Sequence, residues 1–379
     1  MEERGFWVVW SQISGIGPVL LQRIRQQFGS LAAAWRVEAR ELGAVEGFGR
    51  QMVEKVAIAR SQLDPEKVYR EHLLKNPHFW TPADADYPRL LLEIPNPPPV
   101  LYYRGQVEPL ENQGIVPAVA IVGTRYPSEY GKRWTWRITK ALTQRGFAIV
   151  SGMAKGIDTE AHRACLESGG RTIAVFGTGI DVIYPRENAK LYKKLQESGL
   201  LLTEYKSGTT PDKSHFPQRN RIVAALCRAT IIIEAPARSG ALITARIANE
   251  YGRDVYVLPG SLDNPNAIGC LTLINKGAQL ILGEDHLLEM LGEMPPLDLL
   301  PTTTSQQLEL FADPKSAPSV ELDPPLRQVF DALPPEDTPF DAIVAQAGMD
   351  AATVSSALLQ LELLGVVVQL PGMRYRRSP

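Results

Sequence analysis

The chain has 379 residues, 44% of them hydrophobic, enough for two or three domains around a large core. No apolar run approaches twenty residues and the start Met1-Glu-Glu-Arg4 lacks a signal-peptide pattern, so neither a membrane span nor secretion is expected. The 3 cysteines lie far apart with no CxxC, which fits reduced thiols in a cytoplasmic protein. The formal net charge of −2 hides an asymmetry. Residues 117–291 carry 22 Lys+Arg against 16 Asp+Glu, whereas residues 292–379 carry 5 against 12.

Residues 1–76 read as a small helical domain. Within it Ile13-Ser-Gly-Ile-Gly17 and Val45-Glu-Gly-Phe-Gly49 share one pattern, and each precedes a helical periodicity. This is the look of paired helix-hairpin-helix (SAM-like) units. The glycines of such hairpins turn the chain so that N–H groups face a phosphate. The alternative is a helical domain that merely packs, since Pro18 removes one donor and Glu46 sets a negative charge beside the second hairpin. Residues 77–105 are proline-dense, with Val100-Leu-Tyr-Tyr103 as a strand that adds to the edge of the following sheet.

Residues 77–291 form the main domain. Five times between Val119 and Arg246 a short apolar run ends in glycine, small polar and basic residues, and a helical pattern follows. Near-continuous β-branched runs alternating with helices predict a mostly parallel, doubly wound, extended Rossmann-like sheet covered on both faces. Asp254–Leu258 and Ala278–Leu282 add further strands. Loops at the carboxyl ends of such strands share one edge, where ligands bind. Helix starts there offer free N–H groups and positive potential. Arginine at a helix start opposes the dipole at a small cost. Arg219, Arg221 and Arg238 are placed at or just before such starts, which points to an anionic partner, and several basic loops in a row to a long one.

Residues 292–324 are a linker rich in Pro, Thr and Ser, interrupted by the apolar cluster Gln307-Leu308-Glu-Leu310-Phe311. That cluster suits a peptide that orders in a partner's groove, and it resembles the bacterial sliding-clamp-binding motif. Folding back onto a domain is the alternative. Residues 325–379 read as three helices and a hairpin, the pattern of a winged helix.

No nucleotide motif fits. Gly123 to Gly131-Lys132 has the wrong spacing for a P-loop, and Gly177-Thr-Gly179 lacks the third glycine of a dinucleotide fingerprint. Asp158 and His162 lie four apart but lack a third ligand, and Asp158 reads as an N-cap. No catalytic residue, cofactor or metal is expected. The stretch Lys213-Ser-His-Phe-Pro-Gln-Arg-Asn-Arg221 joins cations, an aromatic ring and a helix start, so phosphates could sit on the cations while a base stacks on Phe216. The competing reading buries Phe216 and pairs the arginines with Glu204 or Glu234.

At these residues the chain resembles the DNA-processing protein A family, DprA or Smf. The resemblance rests on Ile121-Val-Gly-Thr-Arg125, Ile149-Val-Ser-Gly-Met-Ala-Lys-Gly-Ile-Asp158, Gly169-Gly-Arg-Thr-Ile-Ala-Val175, Phe216-Pro-Gln-Arg-Asn-Arg-Ile222, Ser239-Gly240 and Pro259-Gly260. It implies a dimerising single-strand-binding protein that protects incoming DNA and loads the RecA recombinase in natural transformation. By motif position it implies a DNA groove of Arg125, Lys155, Lys213, Phe216, Arg219, Asn220, Arg221, Ser239 and Gly240, to which the loop argument adds Arg238. Thr124 replaces a common serine, and Leu271 stands where asparagine is usual. The rival from another class is a nucleotide-processing Rossmann-like hydrolase. Pro236-Ala-Arg-Ser-Gly-Ala241 lacks the glycine pattern of those enzymes.

Overall fold

The computed structural model describes residues 1–292, 324–334, 337–363, 366–370 and 373–377. Its contacts divide the chain into two compact units, Met1–Asp298 and Leu299–Pro379.

The first unit is built on a nine-stranded sheet of order β1-β2-β6-β5-β4-β3-β7-β8-β9. The strands are β1 (Phe79–Trp80), β2 (Leu101–Gly105), β3 (Ala118–Val122), β4 (Ala148–Ser151), β5 (Thr172–Phe176), β6 (Leu200–Thr203), β7 (Ala229–Ile232), β8 (Asp254–Val257) and β9 (Gln279–Leu280). β3 to β9 are mutually parallel, while β2 joins β6 antiparallel and β1 joins β2 antiparallel. The mostly parallel sheet is the one expected, and β2 is its added element, with the two-residue β1 outside it.

Both faces are covered because successive side chains on a strand point opposite ways. Ala120, Val122, Val150, Ile232, Val255 and Val257 join one core; Val119, Ile121, Ile149, Ile231 and Tyr256 join the other. Helices His215–Ala225 and Gly240–Glu250 supply the first core, and Glu129–Gln144 and Ile157–Glu167 the second. The sheet order turns back at β3. The chain runs outward through β4, β5 and β6 on one side and β7, β8 and β9 on the other. The carboxyl ends of β3 and β7 therefore frame a topological switch point, where a crevice opens.

The N-terminal helices keep their own core, around Trp7, Trp10, Leu21, Ile24, Leu42 and Phe48. Helix Glu3–Trp10 also reaches the sheet, since Val8 packs with Phe79, Val100 and Tyr102. The internal repeat is real in three dimensions. Gly15 and Gly47 take φ of +93° and +89°, and Gly17 and Gly49 are extended N-caps of helices Pro18–Phe28 and Arg50–Gln62. Ile13 accepts from the N–H of Ile16 as Val45 does from that of Phe48.

The second unit has helices Pro324–Asp331, Phe340–Ala347 and Ala351–Leu363 with a sheet of order β10-β12-β11. These strands are β10 (Thr338–Pro339), β11 (Val367–Leu370) and β12 (Arg374–Arg377). Val329, Ile343, Val354, Leu358, Leu361 and Tyr375 make its core, giving the winged helix that the periodicity predicts. Gln307, Leu308, Leu310 and Phe311 lie outside the described residues. No single helix among the described residues is long and apolar enough to cross a membrane.

Candidate nucleic-acid interface

Two adjoining depressions lie over the carboxyl edge of the sheet. One is an open groove of about 540 Å³ at the switch point, between the loop after β3 and the loop after β7. The other is a smaller cavity of about 200 Å³ over the ends of β4 and β5. Arg125, Tyr126, Tyr184, Phe216 and Arg219 border both.

The rim is exposed and cationic. Arg125, Lys155, Lys213 and Arg238 all face solvent. Arg125 lies over the Phe216 ring, 5.8 Å from its centroid. Among the described residues Arg125, Lys213 and Arg238 have no ion pair, whereas Lys155 is held by Glu187 at 2.5 Å. That hydrogen bond raises the lysine pKa and lowers the glutamate's. Ser239 caps the helix Gly240–Glu250, its Oγ accepting from the N–H of Ala241 at 3.2 Å. Asn220 donates to the carbonyl of Gly240 at 3.3 Å, tying helix His215–Ala225 to the start of helix Gly240–Glu250.

Phe216 is half-buried between the depressions. Its ring lies 5.4 Å from that of Tyr184 at 30°, and against Gly177, where an added Cβ would come within 2.9 Å of the ring. Any side chain at Gly177 would push Phe216 off this shelf.

Below the rim is a buried polar floor that holds the loops. Glu234, only 2% exposed, accepts from the N–H (2.9 Å) and hydroxyl (2.5 Å) of Ser128 and from Asn264 Nδ2 (3.2 Å). It thus joins the loops after β3, β7 and β8. Asp158 accepts from the N–H groups of Gly152 (3.1 Å) and Ala154 (3.3 Å). Burial raises its pKa, and Arg219 opposes that rise. Arg219 is 4% exposed and donates to the carbonyls of Gly152 and Val175. Burial lowers its pKa to about 10. A Cβ at position 152 would meet the guanidinium at 2.6 Å, so any side chain there would force Arg219 to shift.

Three expectations change. Arg219 and Arg221 do not stand at a helix start, because the helix begins at His215. Two residues apart on a helix, they point to different sides. Arg219 lies in the floor with its Nε and Nη1 engaged. Arg221 leaves the groove altogether: it is 8% exposed, pairs with Glu204 at 2.6 Å, and lines a separate cleft with Pro18 and Asn96. For Arg221 the structure shows the ion pair with Glu204 that the competing reading expected. Asp158 is not an N-cap either. Gly156 holds that place with φ of +81°, and Asp158 reaches back from inside the helix. His162 turns to Thr172 Oγ1 at 2.7 Å, its pKa driven down to about 3 by burial, so the two make no common metal site.

Sequence reasoning passed over Tyr126, Tyr184, Glu187 and the hub role of Glu234. Glu234 carries the one legible signal, a carboxylate directly after an apolar strand on the ligand edge.

Residues 78–292 match the sequence profile of the DNA recombination-mediator protein A family, and residues 313–373 that of the DprA winged helix domain. The chain belongs to the DNA recombination-mediator protein A family. It is 49% identical to Protein Smf of Synechocystis over 99% of both chains. It is similar to the X-ray structure of DNA processing protein A from Streptococcus pneumoniae, with TM-score 0.67 and 34% identity, over 76% of this chain and 98% of that one. A Helicobacter pylori DNA processing protein A, whose structure is described by its single-stranded DNA binding mode, matches with TM-score 0.51 and 33% identity over 56% of this chain and 95% of its own.

Proposed function

We propose that this protein binds single-stranded DNA along the sheet edge, without chemistry, as a recombination mediator in the cytoplasm. The observation that carries the reading is the four exposed cations, Arg125, Lys155, Lys213 and Arg238, set around the half-buried Phe216. Phosphates would take the cations and the N–H of Gly240, and a base would take the aromatic shelf. The edge presents loops rather than a projecting helix or ribbon, which suits a single strand better than a duplex groove. The buried carboxylates Asp158 and Glu234 are engaged in bracing loops, which supports binding over hydrolysis. The single-strand-binding relative supports the same reading.

On this reading the chain acts as a homodimer, protects incoming strands in natural transformation and hands them to the RecA recombinase. The cluster Gln307, Leu308, Leu310 and Phe311 would add a sliding-clamp contact, tested by clamp pull-down against a Leu310→Ala/Phe311→Ala variant. The deciding experiment for the main reading is titration of labelled single- and double-stranded oligonucleotides at several salt concentrations. Affinity for the single strand should exceed that for the duplex and fall with salt, with a log–log slope of about −0.7 per phosphate neutralised. A flat salt response, or equal affinity for duplex, would sink it.

A further inference from the structure

Tyr126 leaves its ring in solvent while its backbone is held in place. It is 81% exposed. Its N–H donates to Thr124 Oγ1 at 3.2 Å and its carbonyl accepts from Asn266 Nδ2 at 3.0 Å, so the chain is fixed on both sides of the residue. The ring stands where the smaller cavity meets the larger groove and borders both. Little of the ring is packed in the fold, and Arg125 beside it is turned over Phe216. An aromatic face on a pinned backbone costs little further entropy to order, which is what a stacking surface needs. A cavity of about 200 Å³ is below the size of most small-molecule pockets and suits one ring system at a time.

We propose that Tyr126 is a stacking post between two nucleotide subsites, a positioning residue for the strand. One base enters the smaller cavity against Phe216. The next stacks on Tyr126, and its phosphate passes into the groove toward Ser239 and Gly240. The inference rests on the single-strand reading above.

The test compares the full-length parent with Tyr126→Ala and Tyr126→Phe by fluorescence polarisation on two oligomers of equal length, an oligothymidylate and an abasic strand with the same phosphates. Tyr126→Ala should weaken oligothymidylate binding roughly 5- to 150-fold, the range stacking supplies per base, with an unchanged salt slope. Tyr126→Phe should restore it. On the abasic strand parent and variant should bind alike. Equal binding of oligothymidylate by parent and Tyr126→Ala overturns the post while leaving the single-strand reading intact. So does an equal loss on both strands, which would mark a phosphate or structural role. A parent that binds neither oligomer overturns both readings at once. Because the ring is exposed, the melting temperature of either variant should match the parent's, and a clear fall would also count against the post.

Discussion

The rim and the floor of the sheet edge use the same residue types for opposite ends. Above, Arg125, Lys155, Lys213 and Arg238 stand in water, where charge costs nothing to keep and is free to meet an anion. Below, Arg219, Asp158 and Glu234 are nearly withdrawn from water, and their charges are tolerated only because each is surrounded by hydrogen-bonding partners. Arginine at the edge of such a sheet therefore has two unlike meanings. Floor residues set where the loops are; rim residues set what the loops hold.

The comparison breaks most visibly at Arg219. Arg219→Ala would leave Asp158 buried without its nearest cation and free the carbonyls of Gly152 and Val175. Leaving two buried carbonyls without their donor costs roughly 1–3 kcal/mol each, and the loss of a nearby positive charge adds to it at Asp158. A large fall in denaturation midpoint is expected, with oligonucleotide binding lost only as the protein unfolds. Arg125→Ala should leave the midpoint unchanged. If Arg219→Ala kept full stability and lost only binding, floor and rim would not be distinct.

Phe216 stands between the two zones, and its variant sharpens the boundary. Phe216→Ala should lower affinity by roughly 1–3 kcal/mol with no change in salt slope. Because the ring is only half-buried, its stability cost should fall below the roughly 3–5 kcal/mol of a fully buried phenylalanine. Calorimetry and polarisation on one preparation measure both. A full core-sized loss of stability with unaltered affinity would move Phe216 to the floor.

The cations of the rim should each register in the salt response. Arg125→Gln or Lys213→Gln should flatten the slope by about 0.7. Arg221→Gln supplies the contrast. Its side chain is spent on Glu204 in another cleft, so the slope should stay at the parent value even if stability falls. A flattened slope for Arg221→Gln would return that residue to the groove.

How much of this was legible beforehand follows from the kind of signal each residue carries. The strands, their parallel sense and the ligand edge could be read because β-branched runs and helical periodicities are patterns of many residues. The repeat at Gly15 and Gly47 was legible for the same reason, and both glycines take the left-handed backbone. Placing the start of helix His215–Ala225 too late was enough to misread Arg219 and Arg221, since a helix changes the direction of a side chain by about 100° per residue. Asp158 failed similarly: a glycine with positive φ took the cap, and the carboxylate was left to brace the loop behind it. Tyr126 and Glu187 carry no pattern at all, because their places depend on which loop folds beside which.

Glu187 gives the smallest effect and the finest test of the rim. Its carboxylate already occupies Lys155 at 2.5 Å, standing where a phosphate oxygen would stand on the proposed reading. Both partners are largely in solvent, with side-chain exposures of 49% for the lysine and 65% for the glutamate, so the pair is weak and easily exchanged. A strand entering the groove must displace it, and the exchange of one anion for another costs the strand part of its gain at Lys155. Glu187→Gln removes that competitor and leaves the lysine free. Affinity for single strands should then rise by at most about fivefold at low ionic strength. The gain should shrink as salt screens the pair, and vanish in the Lys155→Gln background. Polarisation titrations of the two single variants and the double variant make a complete cycle. An unchanged affinity for Glu187→Gln at low salt, or a gain that survives loss of Lys155, would remove Lys155 from the phosphate-binding rim.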